Sequence, residues 1–455
     1  MRSLGFPALA LFGMACAVGC ATCQRPPAPK TIRPAKPVAE PTKGIPPGIQ
    51  RRPPASAPTP ESQPAVQLVG DGALAGFYDR LTALDEGRAR RVRVSVWGDS
   101  HVAGAVLPAR LRKRLQERLG DGGPGFVLLG RPWRSYRQLQ VKLGESRRWR
   151  SERQWSHYSR RRPRPRDDLF GLAGISVHTR RTASSWVTPR QRGARFTALD
   201  LYYLKQPGGG RLVVQAGNHR VRWVMTVASQ KEPGFTRVEL PGGTRKIELV
   251  AGATGEVRLY GVDLDNGKPG LVLDAFGING ARATAISEWN AALLGEQLKR
   301  LAPDLLVLAY GSNEVDQEGV SRERLATAFA DALGRLRRAA PGAACLVLGP
   351  PDQARFDKEA GQWQLPAQLE QITSAQREVA LRRGCAFWDQ RAAMGGPGTI
   401  FNWVSADPPL ARGDHVHFSG EGYRRIADAL YDALIAGWER HRRAKGPSTA
   451  PVAAY

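Results

Sequence analysis

Short apolar segments alternate with helical periods along most of this chain, and this alternation limits the available folds more than any other feature. A fully apolar run at 92–97 is followed by apolar residues at helical spacing, and the alternation returns at 271. Fully apolar strands separated by helices are typical of a parallel sheet that helices cover on both faces, so we predict an α/β fold. The predicted strands are Val92–Trp97, Leu271–Phe276, Asp304–Tyr310, Cys345–Leu348 and Cys385–Trp388. The predicted helices are 106–119, Ile286–Leu301, Arg322–Arg338, Gln368–Arg383 and one beginning near Tyr423, with Ser419 as its N-cap.

Residues 131–270 interrupt the alternation between the first two strands. Their first part, 131–166, is crowded with Arg and contains Trp133, Trp149 and Trp155. Their second part alternates apolar and polar residues between Gly- and Asn-containing turns, which predicts a small inserted β-sandwich. The six predicted strands are 196–204, 212–216, 221–227, 236–240, 246–250 and 257–262.

The first 65 residues have the composition of an export signal followed by a tether. An apolar stretch at 4–18 is too short to span a bilayer. It ends in the letters AVGC, which resemble a lipobox whose cysteine, Cys20, is lipidated. Ala17 stands where Leu is usual, so simple cleavage near Ala21 is the alternative. The Pro-rich residues 21–65 predict an extended spacer, and we expect an exported protein held at the cell envelope by a lipid anchor.

The charge and the cysteine content of the chain restrict its possible binding partners, its cofactors and its disulfides. The chain has 67 Lys and Arg against 41 Asp and Glu, a formal charge of +26, which predicts affinity for polyanions. Export argues against nucleic acid as that partner. No metal-ligand motif is visible, and the sequence implies no cofactor. Cys345 and Cys385 are the only cysteines of the predicted folded body, and a disulfide or two buried thiols are equally open.

A candidate nucleophile stands at the end of the first predicted strand. Gly98-Asp99-Ser100 closes that strand and precedes a helix, at the carboxyl edge of the sheet where open α/β folds build their sites. A serine hydroxyl is a poor nucleophile at its ordinary pKa and needs a nearby base. The chemistry of Ser100 therefore depends on a partner elsewhere in the chain.

The best candidate partner lies just before the last predicted helix. In Asp414-His415-Val416-His417, an Asp three residues ahead of a His can accept the Nδ1 proton of His417 and leave its Nε2 free for Ser100. His415 is adjacent to Asp414 and should point elsewhere. Two further segments follow predicted strands: Asn313, whose amide can donate to an oxyanion, and Gly280, whose backbone N–H is unobstructed.

These four blocks, in this order, resemble the SGNH (GDSL-like) hydrolase superfamily. The resemblance implies a three-layer, flavodoxin-like sheet in which Ser100 is the nucleophile, His417 the base and Asp414 the residue that orients the base. It further implies an oxyanion hole made by the Ser100 N–H, the Gly280 N–H and the Asn313 side chain. Two positions depart from the pattern. Glu314 replaces the Asp that commonly follows the Asn, and His101 replaces a small or apolar residue after the Ser.

Segments such as GDSH at 98–101 and DHVHFSGEGY at 414–423 resemble bacterial envelope esterases, some of which remove O-acetyl groups from peptidoglycan and carry a β-rich insertion. The resemblance implies an acylated, anionic carbohydrate polymer as substrate, with tryptophans of the insertion on sugar rings or in the sandwich core. An O-acyltransferase, a lipase or thioesterase, and a silent wall-binding protein are the alternatives. The predicted divisions are a signal (1–20), spacer (21–65), hydrolase domain (66–130 and 271–442), insertion (131–270) and tail (443–455).

Overall fold

A computed structural model of the chain describes residues 66–130, 132–154, 164–317 and 319–446. The predicted signal with Cys20, the Pro-rich spacer and Trp155 lie outside these ranges. The strands, numbered along the chain, are β1 (Arg91–Gly98), β2 (Gly125–Val127), β3 (Val141–Glu145), β4 (Arg150–Arg153), β5 (Ile175–Thr179), β6 (Ala183–Pro189), β7 (Ala198–Lys205), β8 (Arg211–Ala216), β9 (His219–Met225), β10 (Glu232–Glu239), β11 (Ile247–Ala251), β12 (Val257–Asp265), β13 (Gly270–Gly277), β14 (Leu305–Ala309), β15 (Ala344–Leu348), β16 (Arg355–Asp357), β17 (Gln362–Gln364) and β18 (Ala386–Trp388). The α-helices are α1 (Ala75–Asp85), α2 (Ser100–Ala103), α3 (Val106–Leu119), α4 (Ala291–Leu301), α5 (Arg322–Ala339), α6 (Gln368–Arg382), α7 (Gln390–Met394), α8 (Thr399–Ser405) and α9 (Gly420–Lys445).

The five predicted apolar segments form one parallel sheet in the order β13-β1-β14-β15-β18. This is the flavodoxin-like order, in which the second strand of the chain lies outside the first. Strand β1 is an inner strand of this sheet, because its Val94 pairs with Leu273 of β13 on one side and with Leu305 of β14 on the other. The sequence prediction of a doubly covered parallel sheet is confirmed.

Helices cover this sheet on both faces. On one face, α1, α3 and α9 pack apolar side chains such as Leu81, Leu111 and Leu430 against Val94 of β1. On the other face, α4, α5 and α6 pack against the sheet; their buried residues include Leu298, Phe329 and Val379. The three layers are therefore helix, sheet and helix, as the resemblance implied.

Two helix boundaries differ from the prediction. Residues 286–301 were predicted as one helix, but a 3₁₀ turn at Ala283–Glu288 is separated from α4. The side chain of Asn290 accepts from the Leu293 N–H, so the asparagine caps α4 and interrupts the helix. The last helix begins at Gly420, earlier than predicted, and the Ser419 side-chain oxygen accepts a hydrogen bond from the Gly422 N–H.

The insertion is a sandwich of two antiparallel sheets, larger than predicted. One sheet has the order β10-β7-β12-β5-β4 with β2 also on β12, and the other has the order β3-β6-β11-β8-β9. Five of these strands, β2 to β6, were missed. Edge strands β3 and β4 have polar, Arg- and Glu-containing sequences without an apolar alternation, so only their pairing partners reveal them.

Two of the three tryptophans in the Arg-rich segment, Trp133 and Trp149, lie within the described residues. Trp149 is buried in the sandwich core and its Nε1 donates to the Ser184 carbonyl at 2.9 Å, so of the two alternatives, sugar stacking and sandwich core, it takes the second. Trp133 is half-buried and packs edge-on against Tyr136. Among the described residues of the sandwich, Trp223 on β9 is an exposed tryptophan.

A buried ion cluster joins the sandwich to the parallel sheet. The Arg93 guanidinium on β1 lies 2.8 Å from Asp274 Oδ1 on β13 and 2.6 Å from Asp263 Oδ2 on β12. The two carboxylates hold the pKa of Arg93 above its ordinary value despite burial. A buried charge is costly when its partners are removed, so this cluster holds β12 of the sandwich against the parallel sheet.

A disulfide joins Cys345 of β15 to Cys385, just before β18, with a Cα–Cα distance of 4.8 Å. The two residues begin neighbouring strands, which is why their side chains are close enough to bridge. Within the described ranges, no helix combines the length and apolar character that crossing a membrane requires.

Candidate active site

Ser100 lies where β1 turns sharply into α2. The Asp99 side chain accepts from the His101 N–H at 2.9 Å and so caps this short helix. Position 98 must be glycine, because a Cβ there would lie 2.4 Å from the Val102 side chain and 2.6 Å from the Ala309 carbonyl oxygen. The tight turn leaves Ser100 partly exposed at the carboxyl edge of the parallel sheet.

His417 and Asp414 complete a hydrogen-bonded series with Ser100. His417 Nε2 lies 2.8 Å from Ser100 Oγ, and His417 Nδ1 lies 2.9 Å from Asp414 Oδ2. The other carboxylate oxygen of Asp414 accepts from the backbone N–H groups of Val416 and His417. A hydroxyl in this arrangement can pass its proton to the imidazole.

The Asp414 carboxylate is stabilised in its charged form. Burial acts to raise its pKa, but the backbone N–H of His417, the His417 side chain and the Val416 N–H together hold the pKa below its ordinary value. The carboxylate therefore stays ionised and keeps the His417 Nδ1 atom as a donor, which leaves Nε2 available for Ser100.

The side chain of His415 contacts residues other than Ser100. Its ring stacks on Trp363 with centroids 3.9 Å apart, and its Nδ1 lies 3.0 Å from the Gly413 carbonyl oxygen. Its φ of 53° is in the left-handed region, which is costly for a residue with a side chain and is common where surrounding contacts hold a functional loop. Trp363 was not identified from the sequence, because it is 52 residues earlier in the chain than His415.

His101 is buried beneath His417. Only 4% of its surface is exposed, its ring stacks on His417 with centroids 5.5 Å apart, and its Nδ1 lies 3.2 Å from the Tyr423 hydroxyl. Burial lowers the pKa of His101 to about 3, and the neighbouring His417 adds to the lowering. His101 is therefore neutral at working pH and adds no positive charge beside His417.

The two remaining predicted blocks meet at the same sheet edge. The Asn313 Nδ2 donates to the Ala281 carbonyl at 2.9 Å, and the Arg282 Nε donates to the Asn313 carbonyl at 2.9 Å. Gly280 has a φ of 74°, the left-handed conformation that favours glycine. A side-chain amide has two N–H groups, so Asn313 can bind Ala281 and still donate to a second acceptor.

Two buried carboxyl groups lie behind this edge. Burial raises the pKa of Asp99 to about 7, against the hydrogen bond from the His101 N–H, and the nearby Glu314 adds to the rise. Burial likewise raises the pKa of Glu314, whose Oε1 accepts from the Ala283 N–H at 2.9 Å. Glu314, which departs from the family pattern, thus links the Asn313 loop to the segment after β13.

No described group of three or more His, Cys, Asp or Glu side chains is arranged to hold a metal ion.

A parallel sheet of flavodoxin-like order with a Ser-His-Asp series at its carboxyl edge defines a class of α/β serine hydrolases.

The GDSL-like Lipase/Acylhydrolase family model matches residues 250–425. That range includes Gly280, Asn313, Asp414 and His417, whereas Ser100 lies before it, separated by most of the insertion. Ser100 joins the other four through its hydrogen bond to His417.

A solved structure described as "Peptidoglycan O-acetylesterase in action, 5 min" matches with 27% identity and a TM-score of 0.67, over 80% of this chain and 96% of that one. The salicylyl-acyltransferase SsfX3 matches with 14% identity and a TM-score of 0.31, over 65% and 93%. A family two carbohydrate esterase from Clostridium thermocellum matches with 12% identity and a TM-score of 0.27, over 58% and 95%. A search of curated proteins gave no match.

The family match over residues 250–425 and the peptidoglycan O-acetylesterase structure support a place for the chain in the SGNH hydrolase superfamily. They likewise support the activity of an esterase or acylhydrolase.

Proposed function

We propose that this protein removes short acyl groups, above all O-acetyl groups, from an envelope carbohydrate such as peptidoglycan, with Ser100 as nucleophile. The observation that carries the proposal is the 2.8 Å contact between His417 Nε2 and Ser100 Oγ. The substrate is inferred from the likeness to the peptidoglycan O-acetylesterase structure.

In the first half-reaction, Ser100 Oγ attacks the carbonyl carbon of the acetyl ester while His417 Nε2 takes the hydroxyl proton. The carbonyl oxygen gains the negative charge of a tetrahedral intermediate. When the intermediate collapses, the C–O bond to the sugar breaks and His417 gives its proton to the departing sugar oxygen. The products are a free sugar hydroxyl and an acetyl ester of Ser100.

In the second half-reaction, water attacks the acetyl ester and gives a proton to His417 Nε2. Collapse of this intermediate releases acetic acid, which ionises to acetate, and returns the proton to Ser100 Oγ. Asp414 stabilises the imidazolium ion that forms twice in each cycle. We assign its role to orientation and charge stabilisation, because its low pKa keeps it ionised.

The oxyanion in both half-reactions needs donors that are already in place. We propose the backbone N–H groups of Ser100 and Gly280 and the free N–H of the Asn313 amide. The contacts of Asn313 to Ala281 and Arg282 support this role, since they hold the amide and its loop before substrate arrives.

We further propose export, a lipid anchor on Cys20, and polymer binding by the insertion. The overall charge of +26 supports an anionic polymer. On the outward face of the sandwich, Trp223 is 47% exposed and the Arg211 guanidinium lies 4.5 Å from its ring centre. An exposed indole stacked with a guanidinium is suited to contact both sugar rings and carboxylates.

The proposal is tested by incubating purified protein with O-acetylated peptidoglycan and measuring released acetate, with peptidoglycan whose esters have been removed by alkali as the control substrate. Ser100→Ala protein is the matched control for catalysis. We expect acetate release from the first substrate by the unaltered protein alone. A clear preference for long-chain esters would favour a lipase or thioesterase, and transfer of acetyl groups to sugar acceptors without acetate release would favour an acyltransferase.

A further inference from the structure

A small hairpin borders the catalytic residues but has no part in the reaction described above. It consists of β16 (Arg355–Asp357) and β17 (Gln362–Gln364), which follow β15 in the chain. Because β1 and β15 are parallel strands of one sheet, their carboxyl ends meet at the same edge, so the hairpin lies on the side that bears Ser100.

The hairpin is attached to the loop that carries His417. The backbone N–H of Ala354 donates to the His415 carbonyl at 2.9 Å, and the Trp363 ring stacks on the His415 ring. These two contacts hold His415 in its left-handed conformation. The hairpin therefore stands directly beside the residue pair Asp414 and His417.

The hairpin is also attached to the loop that carries Asn313. The Gln353 amide and the Arg355 guanidinium both donate to the Ser312 carbonyl, at 3.1 Å and 3.3 Å. Arg355 in addition pairs with Asp316 at 3.1 Å. One segment thus bridges the loop of the base and the loop of the proposed oxyanion donor, and so forms a wall of the site between them.

This wall presents aromatic surface to solvent. Phe356 is 49% exposed, and its ring contacts the edge of half-buried Trp363 at a centroid distance of 5.5 Å. The exposed polar side chains of Gln362 and Gln364 flank Trp363. Open aromatic surface with polar neighbours suits a ring that has both apolar C–H faces and hydroxyl groups, whereas an acyl chain needs an enclosed apolar pocket.

Proton transfer from His417 also decides whether the sugar or the acyl group of the ester faces this wall. His417 must protonate the departing sugar oxygen, so the sugar lies on the side of the His417 loop, and the hairpin packs on that same loop. We propose that Phe356 and Trp363 bind the sugar ring on the alcohol side of the ester and thereby make the enzyme select carbohydrate esters. This inference rests on the proposed function and adds to it the residues that recognise the sugar.

The test compares Phe356→Ala with unaltered protein on O-acetylated peptidoglycan and on a small aryl acetate that has no sugar. Loss of one aromatic stacking contact should lower the ratio of kcat/KM for the glycan to that for the aryl acetate by about three- to tenfold. Leu381→Ala on α6, where Leu381 is 40% exposed, is the control and should leave the ratio unchanged. A ratio for Phe356→Ala equal to that of unaltered protein would overturn the inference.

A competition measurement separates this inference from the proposed function. A soluble N-acetylglucosamine oligosaccharide is added as inhibitor of aryl acetate hydrolysis. We expect it to inhibit the unaltered protein and to need about three- to tenfold higher concentration against Phe356→Ala. Absent or equal inhibition would overturn the sugar-binding role. If no glycan releases acetate, the proposed function fails, and the inhibition constants still decide the role of Phe356.

Discussion

The imidazole of His101 lies against the imidazole of His417, with ring centroids 5.5 Å apart and planes 29° from parallel. The lower ring is held by the Tyr423 hydroxyl and by contact with Phe418, so it forms a fixed surface under the base. Since burial keeps His101 neutral, it can support a positively charged His417 without repelling it.

We therefore expect the shape of His101, more than its hydrogen bonding, to matter for turnover. His101→Phe keeps a flat ring and should retain activity within about threefold, whereas His101→Ala leaves a cavity under His417 and should lower kcat by about tenfold or more. Steady-state kinetics on an aryl acetate would measure both. Equal losses in the two variants would show that the imidazole nitrogens, and not ring packing, are what the site needs.

Substitutions in the hydrogen-bonded series should form a graded set. Ser100→Ala and His417→Ala should each lower kcat by about 10⁶-fold, and Asp414→Ala by about 10⁴-fold, because the base remains when only its orienting partner is lost. His415→Ala is the matched control in the same loop and should cost less than about tenfold. If His415→Ala were as damaging as His417→Ala, the assignment of the base would be wrong.

The buried carboxyl of Asp99 predicts a pH-dependent stability. Its pKa is about 7 in the folded state and near the ordinary 3.8 when unfolded, so the folded protein binds more protons between these pH values. The contribution of Asp99 to the unfolding free energy is therefore largest below about pH 4 and falls by roughly 4 kcal/mol between about pH 4 and pH 7. Asp99→Asn can still accept from the His101 N–H but cannot ionise. Denaturant unfolding at pH 4 and pH 8 measures the change in unfolding free energy, and between these pH values the unaltered protein should lose roughly 4 kcal/mol more than the variant. Identical changes in the two proteins would contradict the assignment to Asp99.

The Cys345–Cys385 bridge closes a long loop in the unfolded chain. With a sequence separation of 40, it should contribute about 4 kcal/mol to the unfolding free energy. The double variant Cys345→Ala and Cys385→Ala should lose stability by this order, and reductant should act on the unaltered protein alone. Thiol titration of unfolded, unreduced protein provides the direct check, since two reactive thiols at these positions would rule the bridge out.

The proposed lipid anchor is tested in the native host. Cys20→Ser removes the sulfur that a lipid would modify, and the variant should move from the membrane fraction to the soluble fraction. Cys23→Ser is the matched control, because Cys23 lies in the same segment and should have no effect on fractionation. Membrane association of Cys20→Ser protein equal to that of the control would contradict lipidation at this residue.

The features that depend on local spacing could be predicted from the sequence. The apolar runs of β1, β13, β14, β15 and β18 are long enough to identify a buried parallel sheet without knowledge of their partners. The Asp414–His417 contact is equally local, since both residues belong to one turn, and so is the capping of α9 by Ser419. In each case the residues that interact are at most a few positions apart or share one repeating pattern.

The features that join distant segments of the chain depend on the three-dimensional fold and could not be predicted from the sequence. Strands β3 and β4 form because the neighbouring strands β6 and β5 satisfy their backbone hydrogen bonds. Their polar sequences do not predict strands. His101 is neutral because it is buried among side chains that include Tyr423 and His417. Trp363 contacts His415 because β15 and β1 end at the same edge of the sheet. Burial and stacking are properties of three-dimensional neighbours, and a pattern of nearby residues cannot specify which distant side chains those neighbours will be.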